Sequence, residues 1–441
     1  MSSTLTQREK NRATALGTMV GAGIEWYDFY VFGIAAALVF NRIFFPGVDP
    51  ATGTLLSFAT FATAWFARPL GGIIFSHLGD RLGRKNIMLV TLILMGTATT
   101  AIGLLPDAGA IGVWAPISLV ILRFLQGLAC GGEWGAATVT AVENAPPGKR
   151  GLFGAFPQMG VPMGLFLSSG VSLLFYMLPE DQLLAWGWRV PFLLTLVFVV
   201  VGQYIRRRLP ESEDFKEAAK NGEIVRFPML EALRRHPRAV LTVFLGQAII
   251  NVTFFTSTTF ILDYATKHGS FERTTVLAVV ALAAVVDFFA ILAGGLLADR
   301  IGAKRVYLTA CAAGIVVFAA IFPLTDTGNI LALTLGIAVL FPLVHGLAFG
   351  AQASFFAGLF PPNVRLSGMS TGFQFSGMAF GAPLPLLAGF LIAAAGGSPW
   401  LLIAYIGVVG LISTIGTLTS PREYAPVLST QKASHAHASN I

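Results

Sequence analysis

Glu25 and Asp28 stand three residues apart in GIEWYDFYVFG (residues 23–33), a run that is otherwise apolar and aromatic. Three positions along a helix return to the same face, so both carboxyl groups look into one space. An ionised carboxylate at the centre of a bilayer costs at least ~2.5 kcal/mol even on lenient insertion scales, so this face must meet protein or water rather than lipid. One reading is a structural hydrogen-bond network. The sharper one is a proton site: burial favours the neutral acid and a nearby cation the charged one, and a group between those influences can load and release a proton.

Arg123, in LRFLQGLACGGEWG (122–135), supplies a cation near mid-span, and a guanidinium stays charged at any working pH. It requires an anion, either a carboxylate of the first helix or a bound solute. Arg68, in FARPLGG (66–72), is a second cation, suited to binding a solute or to holding carbonyls at a helix contact. Asp287, in AAVVDFFAILAGG, is a second candidate proton site, and His345, in PLVHGLAFGAQ, is a titratable group or a hydrogen-bonded packing residue. Gln158, Gln247, Asn251, Gln352 and Gln374 are uncharged polar groups inside apolar runs, able to line a polar cavity or to bond helix to helix. Trp26, Tyr27, Phe254 and Phe255 could flank a ring.

The elements that carry these residues are membrane spans. Of 441 residues, 55% are hydrophobic and 12% charged, and the mean hydropathy is +0.73, against roughly 25% charged residues in soluble domains. Apolar runs long enough to cross hydrocarbon lie near 14–41, 53–77, 86–105, 112–141, 152–178 and 187–205, then near 239–265, 273–297, 305–323, 330–357, 367–395 and 399–419. Backbone groups in lipid must bond internally, and runs of this length exclude barrel strands. The sequence therefore predicts an all-α integral membrane protein of twelve transmembrane helices.

The formal charge of +7 is a matter of topology. With the N-terminus inside, 23 of the 29 Lys and Arg fall on one side of the membrane, which predicts cytoplasmic termini and no nucleic-acid partner. The opening MSSTLTQREKNRATALG lacks the layout of a cleaved signal, so the first span is expected to be retained. Cys130 and Cys311 lie within spans and read as packed thiols. No phosphate loop or metal-spaced His/Cys cluster occurs, so neither ATP nor a metal is expected.

The chain repeats itself. DRLGRK (80–85) follows the second span and DRIGAKR (299–305) the eighth, an offset of 219; APPGKRG (145–151) precedes the fifth and FPPNVRLSG (360–368) the eleventh, with their arginines offset by 215. Two loops repeating at nearly one offset predict two parallel-related six-helix bundles, 13–205 and 238–420. A polar stretch, 206–237, joins them, and a tail, 421–441, follows. Within the joining stretch FPMLEALRRH could form a short amphipathic helix on the membrane surface or remain a solvated linker.

The second loop copy, with Gly295, Asp299, Arg300, Gly302, Lys304 and Arg305, resembles the signature loop of the major facilitator superfamily. The first has Ser76 in place of the glycine but keeps Asp80, Arg81, Gly83, Arg84 and Lys85. With EWYDFY, FARPLGG, LRFLQGLACGGEWG and GWRVPF, the chain is similar to the metabolite:proton symporters of that superfamily, which import citrate, 2-oxoglutarate, proline or betaine, and shikimate. The resemblance implies a major facilitator fold in a bacterial inner membrane and a monomer. It also implies a proton as coupling ion with no other cofactor, and an ion pair between Asp28 and Arg123. The shikimate-type branch places a His and a Gln in the tenth helix and a Gln in the eleventh, as do His345, Gln352 and Gln374 here. Asp80, Arg81, Arg84, Glu143, Asp299 and Arg300 resemble the inner latch of the superfamily; the acids among them add nothing to positive-inside orientation, which favours the latch over topology alone. The position matching Glu143 in the second half falls near Gly358, so the latch is expected to be asymmetric.

GAFPQMGVPMG (154–164) and GMAFGAPLPLLAG (377–389) permit close or bent helices, and the first only partly resembles the stricter signature of antiporters. The expected function is proton-coupled import of a small organic acid, such as the cyclic monocarboxylate shikimate. The rivals are import of a zwitterionic osmolyte such as proline or betaine, export of small metabolites, and a membrane enzyme or receptor. The last is disfavoured because the loops are too short to offer a catalytic constellation.

Overall fold

The computed structural model describes residues 7–207, 220 and 225–423. Most of the tail 421–441 and much of the joining stretch 206–237 therefore lie outside the described residues. Twelve long helices form: α1 (Gln7–Leu38), α2 (Pro50–Leu82), α3 (Arg84–Leu104), α4 (Trp114–Glu143), α5 (Arg150–Tyr176), α6 (Val190–Arg207), α7 (Pro237–Lys267), α8 (Arg273–Ile301), α9 (Ala303–Asp326), α10 (Ile330–Gly358), α11 (Arg365–Ala394) and α12 (Trp400–Leu418). Among the described residues there is no strand. Eleven of the twelve are long and apolar enough to cross a bilayer; the exception is α1, which carries Glu25 and Asp28.

Packing follows the sequence repeat pair by pair. α1 lies on α5 as α7 lies on α11, α2 on α4 as α8 on α10, α3 on α4 as α9 on α10, and α3 on α6 as α9 on α12. The halves meet through α5 against α8 and α2 against α11. Side chains such as Phe66, Phe166, Val200, Phe289, Val316 and Leu386 are exposed on the outside of the bundle, as a lipid-facing surface requires.

Glycines set the closest approaches. A Cβ on Gly127 would strike the backbone of Ala64, and one on Gly131 the Arg68 carbonyl, so α4 rides directly on α2. The second half repeats the device where Gly294 and Gly350 of α8 and α10 face the backbones of Leu347 and Ile291. Gly295 of the signature loop is bare because the Gly151 carbonyl of α5 abuts it. At its counterpart, Ser76 turns its hydroxyl back onto the Gly72 carbonyl, so the serine is accommodated without a partner on another helix.

One asymmetry separates the halves. α7, α10 and α11 are each widened by a π turn, at Thr256–Phe260, Leu335–Leu340 and Gly377–Gly381, and no helix of the first half has one among the described residues. The expected amphipathic segment is a helix, Pro228–Arg235, packed on α2, α7 and α11.

The α2–α4 contact gives a test. Gly131→Val should abolish recovery of monodisperse protein on size-exclusion chromatography. Gly407→Ala, on α12 with nothing within 4 Å, should leave yield and melting temperature unchanged.

Candidate functional site

The charged residues of the first half converge on a small cavity between α1, α2 and α4. Glu25, Asp28, Phe29, Arg68, Arg123 and Cys130 line it, with Gln126 at its side. All four ionisable side chains are at most 4% exposed. The enclosed space is about 10 Å3, on the scale of one water molecule.

Asp28 and Arg123 share this cavity but form no direct ion pair among the described residues, which corrects the pairing expected from the resemblance. The Asp28 carboxylate accepts hydrogen bonds from Thr195 of α6 at 2.6 Å and Thr99 of α3 at 2.9 Å. Arg123 donates to Gln126 at 3.1 Å, and Gln126 donates to Thr99 at 2.6 Å. Acid and guanidinium are thus joined through an amide and a hydroxyl. The Thr99 hydroxyl has a second acceptor, the Met95 carbonyl at 2.9 Å, to which its proton can turn.

Both guanidiniums rest on aromatic faces. Arg123 lies 4.1–4.7 Å from the ring centres of Phe29, Phe32 and Phe61, and Arg68 lies 4.2–5.3 Å from those of Trp26, Phe29 and Trp65. Aromatic faces offset part of the desolvation of a cation without using its N–H donors. Nε and Nη2 of both arginines remain buried without a partner. Glu25 accepts from the Cys130 thiol at 2.5 Å.

Tyr27 does not line the cavity. Its hydroxyl donates to the Pro191 carbonyl at 2.8 Å and its ring meets Phe198 edge-on, a commitment that fastens α1 to α6. Tyr30, not singled out in the sequence, has a buried hydroxyl with no partner and a ring set against Trp26 and Phe29. Its position one turn beyond Trp26 was the only available signal.

In the second half, Asp287 of α8 and His345 of α10 meet at 3.0 Å, with the imidazole enclosed by Phe254, Phe341 and Phe349. Gln247 donates to Asn251 at 3.3 Å, and Asn251 to Ser376 at 3.4 Å, beside the π turn of α11. Gln352 is fully buried with both amide atoms unpartnered. Gln374 reaches across to the Gly131 carbonyl at 2.9 Å, and Phe373 stacks on Trp134 at 3.4 Å. Gln158 accepts from the Trp134 indole at 3.1 Å and leaves its own amide nitrogen unpartnered.

The halves are bound together at the face that carries residues 7 and 423, the termini face. Asp80 of α2 accepts the Ser367 amide of α11 at 2.8 Å, and Asp299 of α8 accepts the Gly151 and Leu152 amides of α5 at 2.6 and 2.9 Å. Each is a carboxylate at the N-terminus of a helix from the other half. Glu143 draws in Arg365 at 2.7 Å and Arg84 at 3.4 Å. Arg81 and Arg300 are exposed and join no ion pair among the described residues. The second half has no acid at Gly358, but Glu423, after α12, lies within van der Waals contact of where a Cβ at Gly358 would be.

One buried pair escaped the sequence reading. Glu133 of α4 binds Arg206 of α6 through both oxygens and accepts Thr91 at 2.7 Å. Arg206 sits at the head of a basic run and reads there as topology alone, although GGEWG holds a charge as deep as those of Glu25 or Arg123.

The profile of the Major Facilitator Superfamily matches residues 18–384. The shikimate transporter of Escherichia coli strain K12 is 40% identical over 415 residues, covering 92% of this chain and 94% of that protein. The proline/betaine transporter of the same strain is 30% identical, covering 92% and 83%. Among solved structures, the proton:xylose symporter XylE bound to 6-bromo-6-deoxy-D-glucose superposes with a TM-score of 0.75 at 14% identity, covering 95% of this chain and 97% of that one, a likeness of fold.

Removing one partner of a buried ion pair typically costs about 3–5 kcal/mol because the other charge is left uncompensated. Arg206→Met should therefore lower the melting temperature steeply in a thermal unfolding assay. Arg206→Met combined with Glu133→Leu should recover most of the loss, and failure to recover would exclude a compensating pair.

Proposed function

From the premise that the chain belongs to the major facilitator superfamily, as a multi-pass membrane transporter of small metabolites and not an enzyme, we propose that it is a proton-coupled importer of a small organic acid. The observation that carries this reading is the pair of buried guanidiniums, Arg68 and Arg123, whose open N–H donors face a space shared with Glu25 and Asp28. Guanidinium forks match carboxylates in geometry and charge. A cyclic monocarboxylate such as shikimate suits both the arginines and the surrounding rings, and a shikimate transporter is among the relatives.

Charge balance suggests how coupling works. With two acids and two arginines ionised, the cluster is neutral. A proton on Asp28, or on Glu25, leaves one uncompensated positive charge in a desolvated site, and one monocarboxylate cancels it. On Asp28 the added proton turns an acceptor into a donor, so Thr99 turns its own proton to the Met95 carbonyl. Substrate and proton therefore favour each other's binding, and the loaded site is again neutral and able to close. Asp287 with His345 is a second place for a proton, and Gln158, Gln247, Gln352 and Gln374 offer amide donors and acceptors to the substrate's hydroxyls.

In this reading the termini face is cytoplasmic, as the distribution of Lys and Arg favours, and the membrane is a bacterial inner membrane. The contacts at Asp80, Asp299 and Glu143 hold that face shut, and the halves rock apart there to release substrate inward. A single chain suffices, since one copy supplies every residue that lines the cavity.

Two experiments test this. In proteoliposomes, uptake of a monocarboxylate should rise with an inwardly directed proton gradient and ignore an imposed potassium-diffusion potential, because one proton with one monoanion carries no net charge. A zwitterionic substrate such as proline would carry one positive charge and respond to that potential, which would favour the rival osmolyte reading. Asp28→Asn should lose gradient-driven accumulation while keeping exchange of labelled for unlabelled substrate; normal accumulation by this variant would remove Asp28 from the coupling step.

A further inference from the structure

A second cavity lies at the termini face, away from the transport site. It holds about 610 Å3 between the helix Pro228–Arg235, the start of α7 and the residues that follow α12. Arg234, Arg235, Arg238 and Arg422 line it together with His236, against a single acid, Glu423. Arg235 is taken up by Glu231 at 2.7 Å. Burial holds the Glu423 carboxyl above the usual carboxylate range, with Lys304 pulling the other way. Arg234, Arg238 and Arg422 form no ion pair or hydrogen bond among the described residues. Three guanidiniums around one open space repel one another and favour an anion between them.

The surroundings narrow the kind of anion. Phe227, Leu230 and Leu233 are exposed beside the arginines, while Pro228 and Ala232 dock the helix onto the bundle. Leu241, about a turn beyond Arg238 on α7, and Ile415 and Leu418, in the last turn of α12, are each more than half exposed, and they begin where the cavity ends. A soluble anion has no use for this apolar flank. A basic cluster at the ends of spanning helices, continuous with an exposed apolar surface, suits a lipid whose phosphate is charged and whose chains follow the helices.

We propose that this cavity binds the headgroup of an anionic phospholipid, with its phosphate between Arg234, Arg238 and Arg422 and its acyl chains along Leu241, Ile415 and Leu418. The helix Pro228–Arg235 also packs on α2 and α11, the helices joined by Asp80 and the Ser367 amide. The lipid therefore braces the connection between the halves beside one of the bonds that holds the termini face shut. The proposal is independent of what the central site transports.

Native mass spectrometry of the full-length protein, with phosphatidylglycerol and phosphatidylcholine supplied in equal amounts, tests it. The unmodified protein should retain phosphatidylglycerol in preference. Arg234→Gln, Arg238→Gln and Arg422→Gln together should weaken that retention about a hundredfold. Lys149→Gln with Arg207→Gln, which removes charge from the same face outside the cavity, should keep it. Should the triple variant fail to fold, Arg422→Gln alone should weaken retention about fivefold, and the three arginines replaced by lysine should preserve it. Equal retention of the two lipids, an unchanged preference in the glutamine variants, or displacement of phosphatidylglycerol by millimolar inorganic phosphate would overturn the proposal, the last by assigning the cavity to a soluble anion.

Discussion

Arg68 and Arg123 cannot shed their charge, and both are sealed inside the first half of the molecule. What surrounds them answers that constraint. Three aromatic faces lie against each guanidinium, and two carboxylates share the space. Bare glycines bring α4 onto α2, so that both arginines reach one cavity. The acids are held by hydroxyls and a thiol rather than by the arginines themselves. Charge is therefore balanced at a distance while guanidinium donors stay open. A direct Asp28–Arg123 bridge would have satisfied the same electrostatics and occupied guanidinium donors that here stay open.

The termini face uses a different economy of charge. Asp80 and Asp299 each end a helix in one half and accept amides at the start of a helix in the other. These bonds come as a symmetric pair because the loops that carry them are repeats. Glu143 breaks the symmetry: it gathers Arg84 from its own half and Arg365 from the other, where the second half has only Gly358 and, beside it, Glu423. Ion pairs across a contact weaken when water enters, whereas a packed apolar contact would have to be pulled apart as a whole. These bonds, unlike the Trp134–Phe373 stack and the Gly151–Gly295 approach between the same halves, can part without either half repacking.

The sequence disclosed the twelve helices because the apolar runs are long and a bilayer admits few alternatives. It disclosed the repeat because two loops recur at almost one offset. Depth was also legible, since a charge inside an apolar run stands out, as Glu25, Asp28, Arg68, Arg123 and Asp287 all do. What a charge bonds to was not. Thr99 and Thr195 lie 71 and 167 residues from Asp28, and nothing in their local composition marks them as its partners. Tyr27 and Tyr30 read alike in the chain, yet one fastens α1 to α6 and the other packs on Trp26 and Phe29 with its hydroxyl unpartnered. Arg206 was hidden by its neighbours, because a basic run at a helix end explains itself through topology. Asp287 and His345, read separately, meet because α8 and α10 pack as closely as α2 and α4 do.

The two halves divide the work unevenly. The first carries the buried arginines on regular helices; the second carries Gln352, with both amide atoms unpartnered, and all three π turns found among the described residues. A π turn shifts side chains around the axis and loosens the regular hydrogen-bond ladder, and such turns gather where function needs adaptable backbone. Here they fall in α7, α10 and α11, and Asn251, Ser376 and Phe255 sit beside them. The space at the arginines holds little more than one water, so no small metabolite fits until the walls move. The first half can hardly supply that movement, because displacing α4 from α2 would strip the arginines of their rings and the glycine contacts of their fit. Phe255 already touches Trp65 of the Arg68 cage across the interface. Of the two halves, the second is therefore built to yield around a solute, while the first keeps its charges in place.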